Sequence, residues 1–271
     1  MDLVEIYYFN PGYFYRGIGL KSIFMLKAER QNFIIKQINL HNKVLSSDLS
    51  IKLNVSEDTI RRDLNELAKS AKIKKVYGGA MSKSFSHPAT QVDVYAKEAK
   101  KQIAKKALTL ITDGMIVLLG GGTTIIEMAR LVPKNLRCTF FTISPVVALE
   151  LVEYSACEII LLGGRLWPNS YINTGSLVIS QLADIHVDLC FLGTNGLSLD
   201  HGITDSDWEV VQVKKVMIQS ANKIALVSIA EKLNSVEKMK ICNVNAINYL
   251  ITDLEPADKA LETYAAVFQV I

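Results

Sequence analysis

The sequence predicts two folded units of different class: a small three-helix unit closed by a strand turn, then a mostly parallel α/β domain. Three observations lead there. Short helical stripes crowd residues 26–69, strand and helix patterns alternate from residue 92 onward, and positive charge gathers in the first of these stretches. Helices repeat their apolar residues near every 3.6 positions, whereas buried strands are short apolar runs, so the two patterns separate along the chain.

The first helix spans about residues 26–41, with Phe33, Ile34, Ile35 and Ile38 as its apolar side. Leu45, Leu49 and Leu53 mark a second, and Asn54-Val55 make a tight connection to a third. That third helix opens on Ser56, whose hydroxyl suits an N-cap, and Asp58 suits the positive end of the helix dipole. Ile60, Leu64 and Leu67 form its buried stripe. Asp58, Arg62 and Asn65 then point away from the stripe, with Thr59, Arg61 and Glu66 on its flanks. Guanidinium forks suit guanine edges and phosphates, and hydroxyls and amides add shorter contacts. The plain alternative is a surface helix in which Asp58 pairs with Arg62. Two short helices joined in this way make a helix-turn-helix, here over residues 44–63. Ile73-Lys74-Lys75-Val76-Tyr77-Gly78-Gly79-Ala80 adds a basic strand and a Gly-Gly turn, the form of a wing. Residues 25–80 thus predict a winged helix-turn-helix, and they hold eleven Lys and Arg against six Asp and Glu in a chain of net charge +3. Double-stranded DNA is the partner this charge fits.

Composition sets the bounds. A chain of 271 residues, 49% of them hydrophobic, can bury two cores, which excludes a largely disordered protein. No run approaches the roughly 20 apolar residues of a membrane span. The N-terminus lacks the charged start, apolar middle and cleavage site of a secretory signal. The expected compartment is the cytoplasm. Cys138, Cys157, Cys190 and Cys242 are scattered in apolar settings and read as buried free thiols. His41, His87, His186 and His201 show no metal spacing, so neither metal nor cofactor is expected. Residues 1–24 are rich in Tyr and Phe but broken by Pro11, Gly12, Gly17 and Gly19. They read as an unstructured extension upstream of a natural start near Met25, the alternative being an aromatic arm against a partner.

Residues 81–91 are polar, with one proline, and form the expected linker. The α/β domain, residues 92–271, opens with a Lys- and Ala-rich helix over about 92–111. Strands follow at 115–119, 139–143, 158–162, 189–192, 224–228 and 247–251, and helices at 124–131, 146–153, 177–183, 205–221 and 256–266. Such alternation implies a mostly parallel sheet covered on both faces. Gly120-Gly121-Gly122-Thr123-Thr124 directly follows the first strand and opens a helix. Its glycines admit an anion to the backbone amides, its hydroxyls can donate, and the helix start favours negative charge. Any tight strand-to-helix turn can use glycines, but this one lies at a strand's carboxyl end, where open α/β sheets bind ligands. Similar small polar turns follow at Thr142-Ile143-Ser144, Gly163-Gly164, Gly193-Thr194-Asn195-Gly196 and Gly202-Ile203-Thr204.

Glu29-Arg30-Gln31, the run Val55-Ser56-Glu57-Asp58-Thr59-Ile60-Arg61-Arg62-Asp63-Leu64 and the closing Gly78-Gly79-Ala80 resemble the N-terminal domain of the DeoR family of bacterial transcriptional regulators. Lys75 and Tyr77 stand where arginine and histidine are usual, and Ala71 replaces a glycine. Gly122-Thr123-Thr124, Gly163-Gly164, residues 188–196 and 202–204, Glu209, Lys214 and Lys232 match the family's C-terminal domain, which resembles ribose-5-phosphate isomerase and senses phosphorylated sugars. The resemblance implies a repressor of a sugar or polyol catabolic operon, homodimeric or homotetrameric, controlled by a phosphorylated effector. Its DNA contacts would be Ser56, Thr59, Arg61, Arg62, Asn65, Lys75 and Tyr77. Its effector contacts would be Gly121, Gly122, Thr123, Thr124, Glu209, Lys214 and Lys232, although Lys214 could instead lie along the surface beside Glu209, and Lys232 could be a surface residue. Three pocket positions depart from the family: Gly120, Ile143 and Ile229 replace Asp, Asn and Asp. The alternative is an isomerase-type enzyme with an accessory DNA-binding domain. Isomerisation needs a carboxylate base, and those departures leave only Glu209 as a candidate.

Overall fold

The structure, a computed structural model, describes residues 25–41, 43–82 and 94–271. The expected extension at 1–24 and most of the expected linker lie outside the described residues.

The N-terminal unit runs α1 (Lys27–His41), β1 (Lys43–Leu45), α2 (Ser46–Leu53), α3 (Glu57–Lys69), β2 (Lys74–Val76) and β3 (Gly79–Met81). Its core is Ile34, Ile38, Leu49, Ile60, Leu64 and Leu67 from the helical stripes, with Ile73 and Ala80 from the wing run. Asn54 makes the turn between α2 and α3 in the left-handed region (φ 50), where asparagine is tolerated better than most side chains. Ser50 Oγ donates to Val55 O at 2.6 Å and closes this turn. The three strands form an antiparallel sheet in the order β1-β3-β2. The sequence showed only the wing; β1 was missed because three residues between two helices carry no periodicity of their own.

Asp63 is buried and ties α3 to α1. Arg30 Nε donates to its Oδ2 at 2.5 Å, and Gln31 Nε2 reaches its Oδ1 at 3.3 Å. The Arg30-Gln31 and Asp63 positions of the family pattern are therefore two sides of one structural clamp.

The second unit begins with α4 (Lys97–Leu108), β4 (Ile116–Leu119), α5 (Thr123–Arg130), β5 (Thr139–Thr142), α6 (Pro145–Tyr154) and β6 (Glu158–Leu161). It continues with β7 (Arg165–Trp167), β8 (Ile172–Thr174), α7 (Ser176–Ala183), β9 (Val187–Gly193), β10 (Gly196–Ser198) and β11 (Gly202–Asp205). Then come α8 (Trp208–Gln219), β12 (Ala221–Val227), β13 (Met239–Cys242), β14 (Tyr249–Ile251), α9 (Glu262–Ala265) and β15 (Gln269–Val270). Seven strands make a parallel sheet in the order β15-β14-β12-β9-β4-β5-β6. Side chains alternate across it. Val117, Leu119 and Phe191 pack with Ile103, Ala107, Ile125 and Val147 on one face, while Leu118, Cys190 and Leu226 pack with Val178, Val211 and Met217 on the other. The order reverses between β4 and β9, the switch point at which such sheets open a crevice beyond their carboxyl ends.

Two expectations need correction. The last helix, expected over 256–266, is a 3-10 turn (Lys259–Leu261) and the four-residue α9. Tyr264 is fully buried, its hydroxyl donates to Asn234 Oδ1 at 2.8 Å, and the chain then leaves as edge strand β15, so no longer helix fits. Gly202-Ile203-Thr204 begins β11 in a small antiparallel sheet, β10-β11-β13, instead of a ligand-facing turn. Gly202 (φ 83) lies against the Cys242 carbonyl, where a side chain would collide. This glycine serves strand approach.

Asp63→Ala should cost about 3–5 kcal/mol, because it leaves Arg30 charged beside an apolar core without its partner. Chemical denaturation that shows no loss would exclude the clamp.

Candidate functional site

Two surfaces carry the residues picked out from the sequence. On α3, Ser56 Oγ accepts from the Thr59 amide at 3.3 Å and lies 3.0 Å from Thr59 Oγ1. Arg61 reaches Glu57 at 3.2 Å and Asp58 at 3.7 Å. Arg62 is exposed and makes no ion pair among the described residues, so the Asp58–Arg62 pair of the plain alternative does not form. Lys75 Nζ donates to Asn65 Oδ1 at 2.6 Å, which fastens wing to helix. Tyr77 is fully exposed at the turn between β2 and β3. Ion pairs this exposed are worth little, so an incoming phosphate or base edge can displace them.

The second surface is a cavity of about 130 Å³ at the switch point. Gly121, Gly122, Thr123 and Thr124 line it, and among the described residues no side chain caps the start of α5, so its first amides can meet a ligand. Gly121 has β8 against it, with Ile172 where a Cβ would stand, and Gly122 (φ 111) occupies a backbone region that favours glycine. Lys214 and Lys232 line the cavity as expected. Lys214 Nζ donates to Gly193 O at 2.9 Å and to Asp205 Oδ2 at 2.8 Å, and Lys232 Nζ donates to Thr194 O at 2.7 Å. Glu209 is not among the lining residues. It pairs with Arg165 at 3.2 Å, while the neighbouring Asp207 caps α8 and lines the cavity. The replaced positions Gly120, Ile143 and Ile229 all line it too, and Ile143, Ile172, Val210, Met217 and Ile229 add apolar surface to the lining.

Several lining residues escaped the sequence reading. Lys100 is buried, and its Nζ donates to Tyr95 O at 2.5 Å. Its signal was available, since Lys100 falls on the same helical stripe as Ile103, Ala104 and Ala107, an unusual place for a lysine. Asp205 had no such signal. Asn195 Nδ2 and the Ser206 amide donate to its Oδ1 at 2.9 and 2.8 Å. Ser170 Oγ lines the cavity and is buried with no hydrogen-bond partner among the described residues. Asn39, His41, Lys43 and Met81, from the N-terminal unit, also line it.

The electrostatics favour an anion. Lys43, Lys100, Lys214 and Lys232 face Asp205 and Asp207, with His41 paired to Glu237. Burial pushes Lys232 down to about 7, helped by the like charges of Lys100 and Lys214. Burial likewise pushes Lys100 down to about 8, against the pull of Glu127. Burial alone would raise the Asp205 carboxyl, but the Lys214 ammonium and three hydrogen bonds outweigh it and hold the group below its ordinary value.

A winged helix-turn-helix on a parallel α/β domain with a cationic crevice defines a ligand-responsive DNA-binding protein. A DeoR-like helix-turn-helix domain matches residues 30–85, and the DeoR C terminal sensor domain matches residues 96–254. The chain is 32% identical to the HTH-type transcriptional regulator GolR of Listeria innocua, over 84% of this chain and 91% of that protein. It is 34% identical to the HTH-type transcriptional repressor GlcR of Bacillus subtilis, over 86% and 90%. A solved D-ribose-5-phosphate isomerase in complex with phospho-erythronic acid aligns at TM-score 0.39 and 19% identity, over 51% of this chain and 54% of that one. The chain belongs to the DeoR family of DNA-binding transcriptional regulators, and with that the isomerase-type alternative is set aside. Among the described residues, no helix is long and apolar enough to cross a membrane.

Lysine side-chain NMR should show two groups titrating far below the usual ~10.4, near 7 and 8. A bound anion favours the charged form and should raise both. A spectrum with every lysine at its ordinary value would refute the buried cation cluster.

Proposed function

We propose that the chain represses a sugar or polyol catabolic operon and that a phosphorylated sugar or polyol in the crevice relieves it. The DNA-binding unit is residues 25–80, with its helix-turn-helix at 44–63, and the sensor unit is residues 92–271. Ser56, Thr59, Arg61, Arg62 and Asn65 enter the major groove, and Lys75 and Tyr77 hold the flanking backbone. The observation that carries the effector half is the uncapped start of α5 opening into a cavity with three buried or half-buried lysines. Phosphate satisfies both the amides and the cations. Gly121, Gly122, Thr123, Thr124, Lys214 and Lys232 hold it, Lys100 joins them, and Glu209 acts at most through Arg165. The name of the relative GlcR, a repressor, supports the sign.

Arg62→Ala should weaken operator binding by about 1–3 kcal/mol and relax specificity at one base position. Thr123→Val with Thr124→Val should leave operator binding intact and abolish the response to phosphorylated compounds. Gel-shift titration and calorimetry on a panel of sugar and polyol phosphates measure the two effects. A double variant that responds like the parent would remove the crevice as the effector site. Reporter expression that rises with the protein would reverse the proposed sign.

One winged unit covers too little DNA for tight binding, so a homodimer or homotetramer is expected on symmetric half-sites. Leu149 (71% exposed) and Val152 (65%) on α6, with Leu161 (44%) on edge strand β6, offer an apolar face for a second copy. Leu149→Glu with Val152→Glu should shift light scattering toward the monomer, and a parent that is already monomeric at micromolar concentration would contradict assembly.

A further inference from the structure

We infer that the DNA-binding unit supplies part of the effector site: Asn39, His41 and Lys43 form one wall of the crevice, so that a bound anion touches both units at once. The inference rests on the crevice being the effector site, as proposed above, and adds residues from the other unit. All three line the same cavity as Gly121, Gly122, Lys214 and Lys232.

The geometry makes this wall part of the sensor domain's surface. Leu40 leaves the DNA-binding core and packs, 5% exposed, in the cluster of Ile103, Ala104, Ala107 and Ile229. His41 Nδ1 lies 2.8 Å from Glu237 Oε1 and 3.2 Å from the Asn195 carbonyl, so the ring sits against the loop that follows β9. Asn39 is oriented by Ser82, whose Oγ donates to its Oδ1 at 3.2 Å. Lys43 is exposed toward solvent and the cavity, and its strand pairs Lys43 with Met81, another lining residue. Lys43 adds a cation to a phosphate site, while the amide of Asn39 suits a hydroxyl on the rest of the ligand.

Two surface pairs rim this contact, Lys36–Glu231 at 3.0 Å and Asp48–Lys238 at 2.9 Å. Both are exposed and hold weakly. Among the described residues, Leu40 and His41 anchor the units here, and a ligand spanning the wall would add to them. The displacement would travel without any relay. Asn39 and His41 sit on α1, which the Arg30–Asp63 clamp fixes to α3, and Lys43 sits in the same sheet as the wing. A ligand favouring the joined arrangement thereby sets where α3 and the wing point, the differential contact that regulation requires.

Hydrogen exchange of the full chain tests this, with inorganic phosphate, a hexose phosphate and a polyol phosphate as probes. The expected result is protection of amides in residues 39–43 together with residues 120–124. Protection confined to 120–124 would overturn the shared wall while leaving the crevice as the effector site. A second measurement guards against indirect protection: calorimetry on Asn39→Ala with Lys43→Met, whose thermal stability should match the parent. Binding of the probe should weaken fivefold or more. Unchanged affinity in this variant, alongside loss in Thr123→Val with Thr124→Val, overturns the shared wall alone. Absence of binding by the parent to every probe overturns both it and the effector function proposed for the crevice.

Discussion

One helix belongs to both halves of the protein, and the rest of the structure depends on it. Ile34 and Ile38 of α1 complete the core of the DNA-binding unit, Arg30 clamps α3 through Asp63, and Leu40 is buried in the sensor core. A rigid rod whose two ends lie in different cores cannot change its relation to one without disturbing the other. The position of α3 is therefore tied, through α1, to packing in the sensor domain.

The crevice collects charge at a cost to the fold. Lysines at Lys100 and Lys232 are desolvated with too few carboxylates nearby, which is why burial pushes both toward neutrality. Backbone carbonyls of Tyr95 and Thr194 each accept one hydrogen bond from them but cannot neutralise them. An anion at the start of α5 would relieve that imbalance. Sites of this kind sacrifice stability to function.

Three donors surround Asp205, so it is not a free carboxylate. Asp205, held ionised and below its ordinary value by Lys214, Ser206 and Asn195, is instead an orienting group that fixes Lys214. Gly120, Ile143 and Ile229 add no polar side chain to the crevice lining. The lining thus combines cations and glycine turns with apolar side chains.

Local physics made much of this legible. The stripe Ile60, Leu64, Leu67, the cap at Ser56 and the glycine turn before Thr123 each act within a few residues, so spacing alone identifies them. The helix Glu57–Lys69, the parallel sheet and the glycine turn before α5 could all be read in this way. The strands β1, β7, β8, β10, β11, β13 and β15 could not, because they lie in small antiparallel sheets or, for β15, at the edge of the large one, and gain their identity from partners elsewhere in the chain. Glu209 and Asp205 make the same point in the site. Both are acidic and lie four positions apart, yet the fold turns one toward Arg165 and buries the other against Lys214. By itself the sequence determined the local elements, the charge of the DNA-binding face and the chemistry of the turn at Gly121 and Gly122. Only the tertiary structure decided which carboxylate enters the crevice, that Lys100 joins it, and that Asn39, His41 and Lys43 reach it from the other unit. These are contacts between residues far apart in the chain, set by packing that no short window of sequence contains.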